Sequence, residues 1–173
     1  MKDDYVEVRV HGVAADSGDG APVVILLDLE GESGIPVPVG PFEASAIIIE
    51  LEGIAPARPL THDLLAGFFR EGGLALIGAE LYGRTEGSPL ARLIYRKGLF
   101  RRAKEVRPSD AIALALRLGA PILVARALLG SRADTEAAFG GLGKRHGSRF
   151  LRTMPLTSDI KSKDLRTRET ARL

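Results

Sequence analysis

Hydrophobic and polar residues alternate along the first third of the chain, and clusters of turn-forming residues interrupt the alternation. Alternation with a period of two is typical of strands that bury one face. The pattern predicts strands over residues 5–13, 22–29 and 35–39. The third contains two prolines, which lack a backbone N–H, so we expect it at a sheet edge.

The pattern changes after Gly40-Pro41, because residues 42–51 are apolar on almost every side. Proline is favoured at the first position of a helix, which predicts a buried helix here. Ile47-Ile48-Ile49 suits a strand equally well. A second helix is predicted to begin at Thr61 as its cap and to end at Gly72-Gly73. The apolar stripe of this second helix is Leu64, Leu65, Phe68 and Phe69.

Alternation returns in residues 74–84 and 88–97, on either side of Thr85-Glu86-Gly87, and predicts a hairpin with residues 99–106 as a possible third strand. Residues 111–118 alternate small and large side chains like a strand. Ser109 and Asp110 before this segment, its alanines and the terminal Gly119 favour a helix instead. A short strand or turn at 121–124 and a short helix at 134–139 complete the pattern. Hairpins separated by three main helices predict an α+β fold with a mixed, largely antiparallel sheet.

Charge divides the 173-residue chain into two parts. Residues 1–140 hold 15 Lys and Arg against 19 Asp and Glu, whereas residues 141–173 hold 9 against 3. We therefore predict a domain over residues 1–130 and a mobile basic extension over residues 131–173. The extension suits an arm with affinity for phosphate, or a solvated tail.

Composition excludes several classes of protein. The chain has no cysteine, so it has no disulfide framework, thiol nucleophile or cysteine-ligated metal. Residues 1–4 lack the order of a signal peptide, and the apolar stretch 111–129 contains charged residues, glycine and proline. We expect a cytoplasmic protein that does not enter a membrane.

Three carboxylates occupy the same kind of position. Glu43, Asp63 and Asp110 each fall in or just before the first turn of a predicted helix. Carboxylates are common there because they complement the free N–H groups and the positive end of the helix dipole. If the three helix starts converge, however, they assemble more charge than capping requires.

A convergent site would combine groups suited to phosphodiester chemistry. Carboxylate oxygens hold hard divalent cations, which predicts that Glu43, Asp63 and Asp110 bind Mg²⁺ or Mn²⁺. Arginine offers paired donors to phosphate oxygens, and histidine takes up and releases protons near neutral pH. His62, Asp63, Asp110 and Glu43 are the catalytic candidates, and Arg58, Arg107, Thr61 and Ser109 are the substrate-binding candidates.

These residues also carry a family resemblance. The segments IPVPVGPFEASAI (35–47), RPLTHDLL (58–65) and RPSDAIALALRLGAPI (107–122), in this order, resemble the bifunctional nuclease domain family across about residues 5–130. The resemblance implies an α+β domain that forms a homodimer and degrades DNA and RNA. The matching motif positions are Gly40, Glu43, Arg58, Pro59, Thr61, His62, Asp63, Arg107, Pro108, Ser109 and Asp110.

Two functions remain open at this level. The first is a nuclease that hydrolyses phosphodiester bonds of nucleic acid with low sequence specificity, assisted by a divalent metal. The second is a non-catalytic regulatory module that binds an anion or a partner, with the Arg-Pro and Asp motifs acting as helix caps and interface. A negatively charged body and few aromatic residues favour the second, and the family resemblance favours the first.

Overall fold

A computed structural model describes residues 4–15 and 20–137. Eight strands and four helices form this part of the chain. The strands are β1 (Tyr5–Ala15), β2 (Pro22–Asp28), β3 (Ser33–Pro38), β4 (Leu74–Thr85), β5 (Ser88–Lys97), β6 (Phe100–Val106), β7 (Ile122–Ala125) and β8 (Gly130–Ser131). The helices are α1 (Pro41–Leu51), α2 (Thr61–Glu71), α3 (Pro108–Leu118) and α4 (Arg132–Ala137), and a 3₁₀ turn covers Arg126–Leu128.

The strands form one sheet in the order β6-β5-β4-β7-β1-β2-β3-β8. Every neighbouring pair is antiparallel except β4 and β7, which are parallel. The β4–β7 pairing joins the two groups of hairpins and requires the crossover that contains β5, β6 and α3. The predicted α+β fold with a mixed, largely antiparallel sheet is confirmed.

One face of the sheet packs against α1, α2 and α3, and the core lies between these layers. Its largest fully buried side chains include Leu26, Ile35, Leu81 and Ile112. Ile47 is fully buried there on α1, so the isoleucine run belongs to a helix. Helix α3 lies at the centre, contacting both α1 and α2, which explains why it is apolar on nearly every side.

The prolines of β3 behave as its sequence predicts. β2 pairs along β3, whereas the two-residue β8 reaches only Ser33 and Gly34 on its other side. Pro36 and Pro38 therefore lie along an edge that no other described strand occupies. A missing N–H costs no hydrogen bond at such an edge.

The predicted apolar stripe of α2 is wrong for three of its four members. Phe69 is buried and packs edge-on against Tyr95 of β5, but Leu64, Leu65 and Phe68 are exposed. The second buried residue of α2 is Ala66, one turn before Phe69. The side of α2 that faces the protein is set by its contact with α3, so its largest apolar residues point outward.

The predicted caps are also wrong. The cap position of α2 is Leu60 rather than Thr61, and that of α3 is Arg107 rather than Ser109 or Asp110. Neither cap residue accepts a hydrogen bond through its side chain. Pro108 at the first position fixes the start of α3, and Gly119, with φ of 62°, ends it in the left-handed conformation as expected.

The described fold continues beyond residue 130. Strand β8 pairs with β3, and α4 packs on β3 with Thr135 buried. The helix predicted over residues 134–139 begins earlier, at Arg132. The rest of the predicted extension, including residues 141–173, lies outside the described residues. None of the described helices is long and apolar enough to span a membrane.

Candidate functional site

The starts of α1, α2 and α3 are joined by side-chain contacts. Glu43, Asp63 and Asp110 each occupy the third residue of their helix, so the sequence places them equivalently. The structure distinguishes them by their partners. Asp63 accepts a hydrogen bond from the backbone N–H of Leu60 at 2.8 Å and so caps its own helix, whereas Glu43 and Asp110 both bind Arg107.

Arg107 bridges α1 and α3. Its Nη1 donates to Glu43 Oε1 at 2.9 Å, while Nε and Nη2 donate to the two oxygens of Asp110 at 2.9 and 3.2 Å. The hydrogen bonds to Asp110, together with the charge of Glu43, raise the pKa of Arg107. A guanidinium has five N–H donors, so two remain after these three bonds. The side chain is 67% exposed, and an anion can therefore reach them.

His62 connects α2 to the same carboxylate. Its Nε2 lies 3.3 Å from Asp110 Oδ1, and its side chain is only 15% exposed. A carboxylate in this position holds the imidazole ring and favours a proton on Nε2. Within the described chain Nδ1 makes no hydrogen bond, which leaves it available for proton transfer.

An open depression of about 330 Å³ lies beside Arg107. It is lined by Pro38, Val39, Gly40, Glu43, Ser88, Pro89, Arg107, Pro108 and Ser109. The sequence candidates Glu43, Arg107 and Ser109 thus share one surface with the loop that precedes α1. Ser109 is largely buried in its wall.

Gly40 has a steric role at this depression. A Cβ built on Gly40 would overlap the carboxylate of Glu43, which folds back over the helix start. The glycine therefore leaves the space in which the Glu43 carboxylate meets Arg107. No left-handed conformation is involved, because φ at Gly40 is −76°.

Asp63 belongs to a second, more buried cluster. It accepts a hydrogen bond from Nε of Arg117 at 2.5 Å. Arg117 also donates to the carbonyl oxygens of Ala46 on α1 and Ala113 on α3, each at 3.1 Å. Its side chain is 3% exposed, and Glu50 lies 4.0 Å away. One buried guanidinium therefore ties together all three helices beneath the site.

Burial of Asp63 raises its pKa, but the hydrogen bonds from Arg117 and from Leu60 outweigh burial, and the net effect lowers the pKa below 3.8.

Sequence reasoning missed Arg117. The available signal was a single arginine within the apolar run AIALALRLGA, a position that a solvated side chain would not occupy.

Two candidates stay apart from these clusters. Arg58 and Thr61 are exposed, and neither side chain makes a hydrogen bond or ion pair within the described residues. They remain accessible to a ligand, and their assignment to substrate binding stays a prediction.

The carboxylates do not form a metal centre as arranged. Among the described residues, no three His, Cys, Asp or Glu side chains are placed to hold a metal ion together. Asp63 is held by Arg117, and Glu43 and Asp110 are both held by Arg107. The three-carboxylate arrangement suggested by the spacing of the motifs is thus replaced by two arginine-centred clusters.

The fold and the site define an α+β domain with an exposed arginine and a histidine–aspartate pair at three convergent helix starts. The sequence model of the bifunctional nuclease domain matches residues 24–136, so the chain belongs to the bifunctional nuclease domain family. Its relatives include an uncharacterised protein in each of two strains of Mycobacterium tuberculosis. Each is 38% identical over 123 residues, which cover 71% of this chain and 73% of the relative.

Proposed function

We propose that the protein is a nuclease that hydrolyses phosphodiester bonds of DNA and RNA with low sequence specificity. Membership of the bifunctional nuclease domain family supports this function. The observation that carries it is Arg107, exposed with two unused N–H groups beside the His62–Asp110 pair. Phosphodiester hydrolysis needs at least a group that donates hydrogen bonds to the phosphate and a group that accepts the proton of water.

In the proposed reaction, the unused N–H groups of Arg107 bind non-bridging oxygens of the phosphate. They stabilise the negative charge that builds up as water attacks phosphorus. His62 accepts the proton of the attacking water through Nδ1, and Asp110 stabilises the resulting imidazolium through Nε2. The P–O bond to the leaving oxygen then breaks, the leaving oxygen takes a proton from solvent water, and His62 returns its proton to solvent. Glu43 positions Arg107 and does not contact the substrate in this scheme.

Assistance by Mg²⁺ or Mn²⁺ stays a prediction, and the reaction above does not depend on it. Glu43 and Asp110 are half-buried carboxylates that could serve as metal ligands, and one or two protein carboxylates together with substrate phosphate are enough for Mg²⁺. Any such ion competes with Arg107 for the same oxygens. Cleavage in the presence of either metal or of EDTA tests the prediction directly.

The rival function is a binding module without catalysis. The pairing of every candidate carboxylate with an arginine favours it, since paired charges also stabilise a fold. In that case Arg107 still binds an anion, but His62 has no proton to transfer. The two functions therefore differ in what replacement of His62 does.

The test compares His62→Gln with His11→Gln, which replaces a histidine on β1 whose side chain makes no hydrogen bond or ion pair within the described residues. Both are assayed on single- and double-stranded DNA and RNA. We expect cleavage to fall at least about 100-fold in His62→Gln, the usual contribution of a general base. His11→Gln should match the wild type.

Equal cleavage by both variants would show that the activity comes from a contaminant or from another site. The binding module would then be the better conclusion. A circular dichroism spectrum and melting temperature for each variant separate lost chemistry from lost folding.

The homodimer implied by the family resemblance is a further proposal. Light scattering of the purified full chain should give twice the chain mass of 18.5 kDa. A value equal to one chain across the accessible concentration range would reject it.

A further inference from the structure

The hairpin formed by β5 and β6 is basic, and the candidate site does not use its charge. Residues 96–104 contain five Lys or Arg and no Asp or Glu, although residues 1–140 as a whole are net negative. All five side chains are exposed. Their concentration on one hairpin creates a local positive surface on an otherwise acidic body.

The register of the two strands divides these cations between the faces of the sheet. Arg102 lies opposite Tyr95, and Lys104 lies opposite Leu93. Leu93 and Tyr95 pack with the core under the helices, so Arg102 and Lys104 stand on the helix side of the sheet. Neither makes an ion pair within the described residues.

The opposite face is partly neutralised. Arg101 lies 3.9 Å from Glu80, which also binds Arg92 at 2.7 Å. Four cations in residues 96–104 have no carboxylate partner among the described residues. Lys97, Arg102 and Lys104 lie on the helix side, and Arg96 lies opposite Arg101 on the other face. On the helix side, fewer protein carboxylates compete with an anionic ligand for these cations.

The tip of the hairpin adds apolar surface. Leu99 is 96% exposed and Phe100 is 71% exposed, next to an open depression lined by Lys97, Gly98, Leu99, Phe100 and Arg102. Phe100 lies opposite Lys97 and on the same face as Arg102. An exposed aromatic ring among cations is the combination that binds unpaired nucleic-acid bases and their phosphates.

Strand β6 leads directly from this tip into the candidate site. Its seven residues end at Val106, and the next residue is Arg107. The strand is about 20 Å long at about 3.4 Å per residue. Side chains on one face recur at every second residue, so Phe100, Arg102 and Lys104 form a row that points toward Arg107.

We propose that the helix side of β6 is the surface along which the phosphate backbone of nucleic acid lies on its way to Arg107. Arg102 and Lys104 contact phosphates. Phe100 stacks on a base where the nucleic acid is single-stranded. The length of β6 corresponds to about six nucleotides of a B-form strand. This inference rests on the proposed function, since it names the surface that holds the substrate of that site.

The experiment measures binding of the full chain to a fluorescent DNA single strand of about 20 nucleotides and to its duplex, in EDTA, between about 50 and 200 mM salt. Arg102→Gln/Lys104→Gln is compared with Arg9→Gln/Arg126→Gln. The second pair removes two exposed arginines from outside the hairpin, so both double variants lose the same charge.

Each lost phosphate contact lowers the slope of log affinity against log salt by about 0.9 for duplex and about 0.7 for single strands. We therefore expect Arg102→Gln/Lys104→Gln to lower the slope by about 1.8 and about 1.4, respectively. The control pair should leave both slopes unchanged. Phe100→Ala should weaken single-strand binding about 10-fold and affect the duplex less.

Equal slopes for the two double variants would overturn the proposal, and so would a wild type that does not bind nucleic acid. Vesicles containing phosphatidylserine form a second arm. Binding to vesicles that depends on Arg102 and Lys104, without an effect on DNA, would identify an anionic membrane as the ligand and reject nucleic acid.

The same data distinguish this inference from the proposed nuclease. Cleavage that is lost in His62→Gln, together with equal salt slopes for the two double variants, would support the nuclease and reject the β6 surface. Binding that depends on Arg102 and Lys104 in a protein without cleavage would reject the nuclease and support the surface.

Discussion

Replacement of Asp63 by asparagine should destabilise the fold through Arg117. The substitution keeps the size of the side chain and an oxygen that can accept the Leu60 N–H, but it removes the charge that faces a guanidinium only 3% exposed. Breaking a buried ion pair by removing one partner costs about 3–5 kcal/mol. Glu50 at 4.0 Å partly compensates, so we expect a loss of about 3 kcal/mol.

The assay is urea and thermal unfolding of Asp63→Asn beside Glu52→Gln, an exposed acid that makes no ion pair in the described structure. For a chain of this size, a loss of about 3 kcal/mol lowers the melting temperature by roughly 6–12 °C. Glu52→Gln should stay within about 0.5 kcal/mol of the wild type.

The effect of Asp63→Asn should also depend on pH. The folded state lowers the pKa of Asp63 below 3.8, so the unfolded state takes up its proton first as the pH falls. The stabilisation is therefore complete above the unfolded pKa and is lost as the pH falls through the folded pKa. The difference in unfolding free energy between wild type and Asp63→Asn should be constant near neutral pH and should shrink below about pH 4.

A difference under about 1 kcal/mol at neutral pH, or one that does not change down to pH 3, would refute this reasoning. Arg117→Met completes a double-mutant cycle. If the penalty comes from an unpaired buried charge, Asp63→Asn/Arg117→Met should be at least about 1 kcal/mol more stable than Asp63→Asn alone. The cycle separates this cause from a simple loss of helix capping.

Three other substitutions, and one control, test the site and the sheet. Gly40→Ala should displace the Glu43 carboxylate and lower nuclease activity several-fold without a change in melting temperature, because the overlapping group is a flexible side chain. Arg107→Lys should lower activity at least about 10-fold despite the retained charge, since an ammonium cannot reproduce the paired donors of a guanidinium; full activity would argue against phosphate binding by Arg107. Gly34→Ala should cost about 1–3 kcal/mol in urea unfolding, because its Cβ would lie 2.5 Å from a backbone oxygen and a leucine side chain of β2, whereas Gly12→Ala has open space and should be close to neutral.

Local sequence signals located most of the elements. The Gly40-Pro41 and Arg107-Pro108 steps mark the starts of α1 and α3, and the glycine-containing turns mark the hairpins. These signals act within a few residues, so they do not depend on the rest of the fold. Local signals could not predict which face of α2 is buried, because the exposed Leu64 and Phe68 have the spacing of a stripe that faces the core.

The amino-acid sequence is enough to place three carboxylates at helix starts, a histidine before one of them and two arginines before proline. The charge partner of each carboxylate depends on how the helices pack. The chain crosses over to pair β7 in parallel with β4, and α1 and α2 pack against α3. This arrangement brings Arg107 to Glu43 and Asp110, and it brings Arg117 to Asp63. Capping preferences arise from local backbone geometry, whereas charge partners separated by 54 and 64 residues are selected by packing.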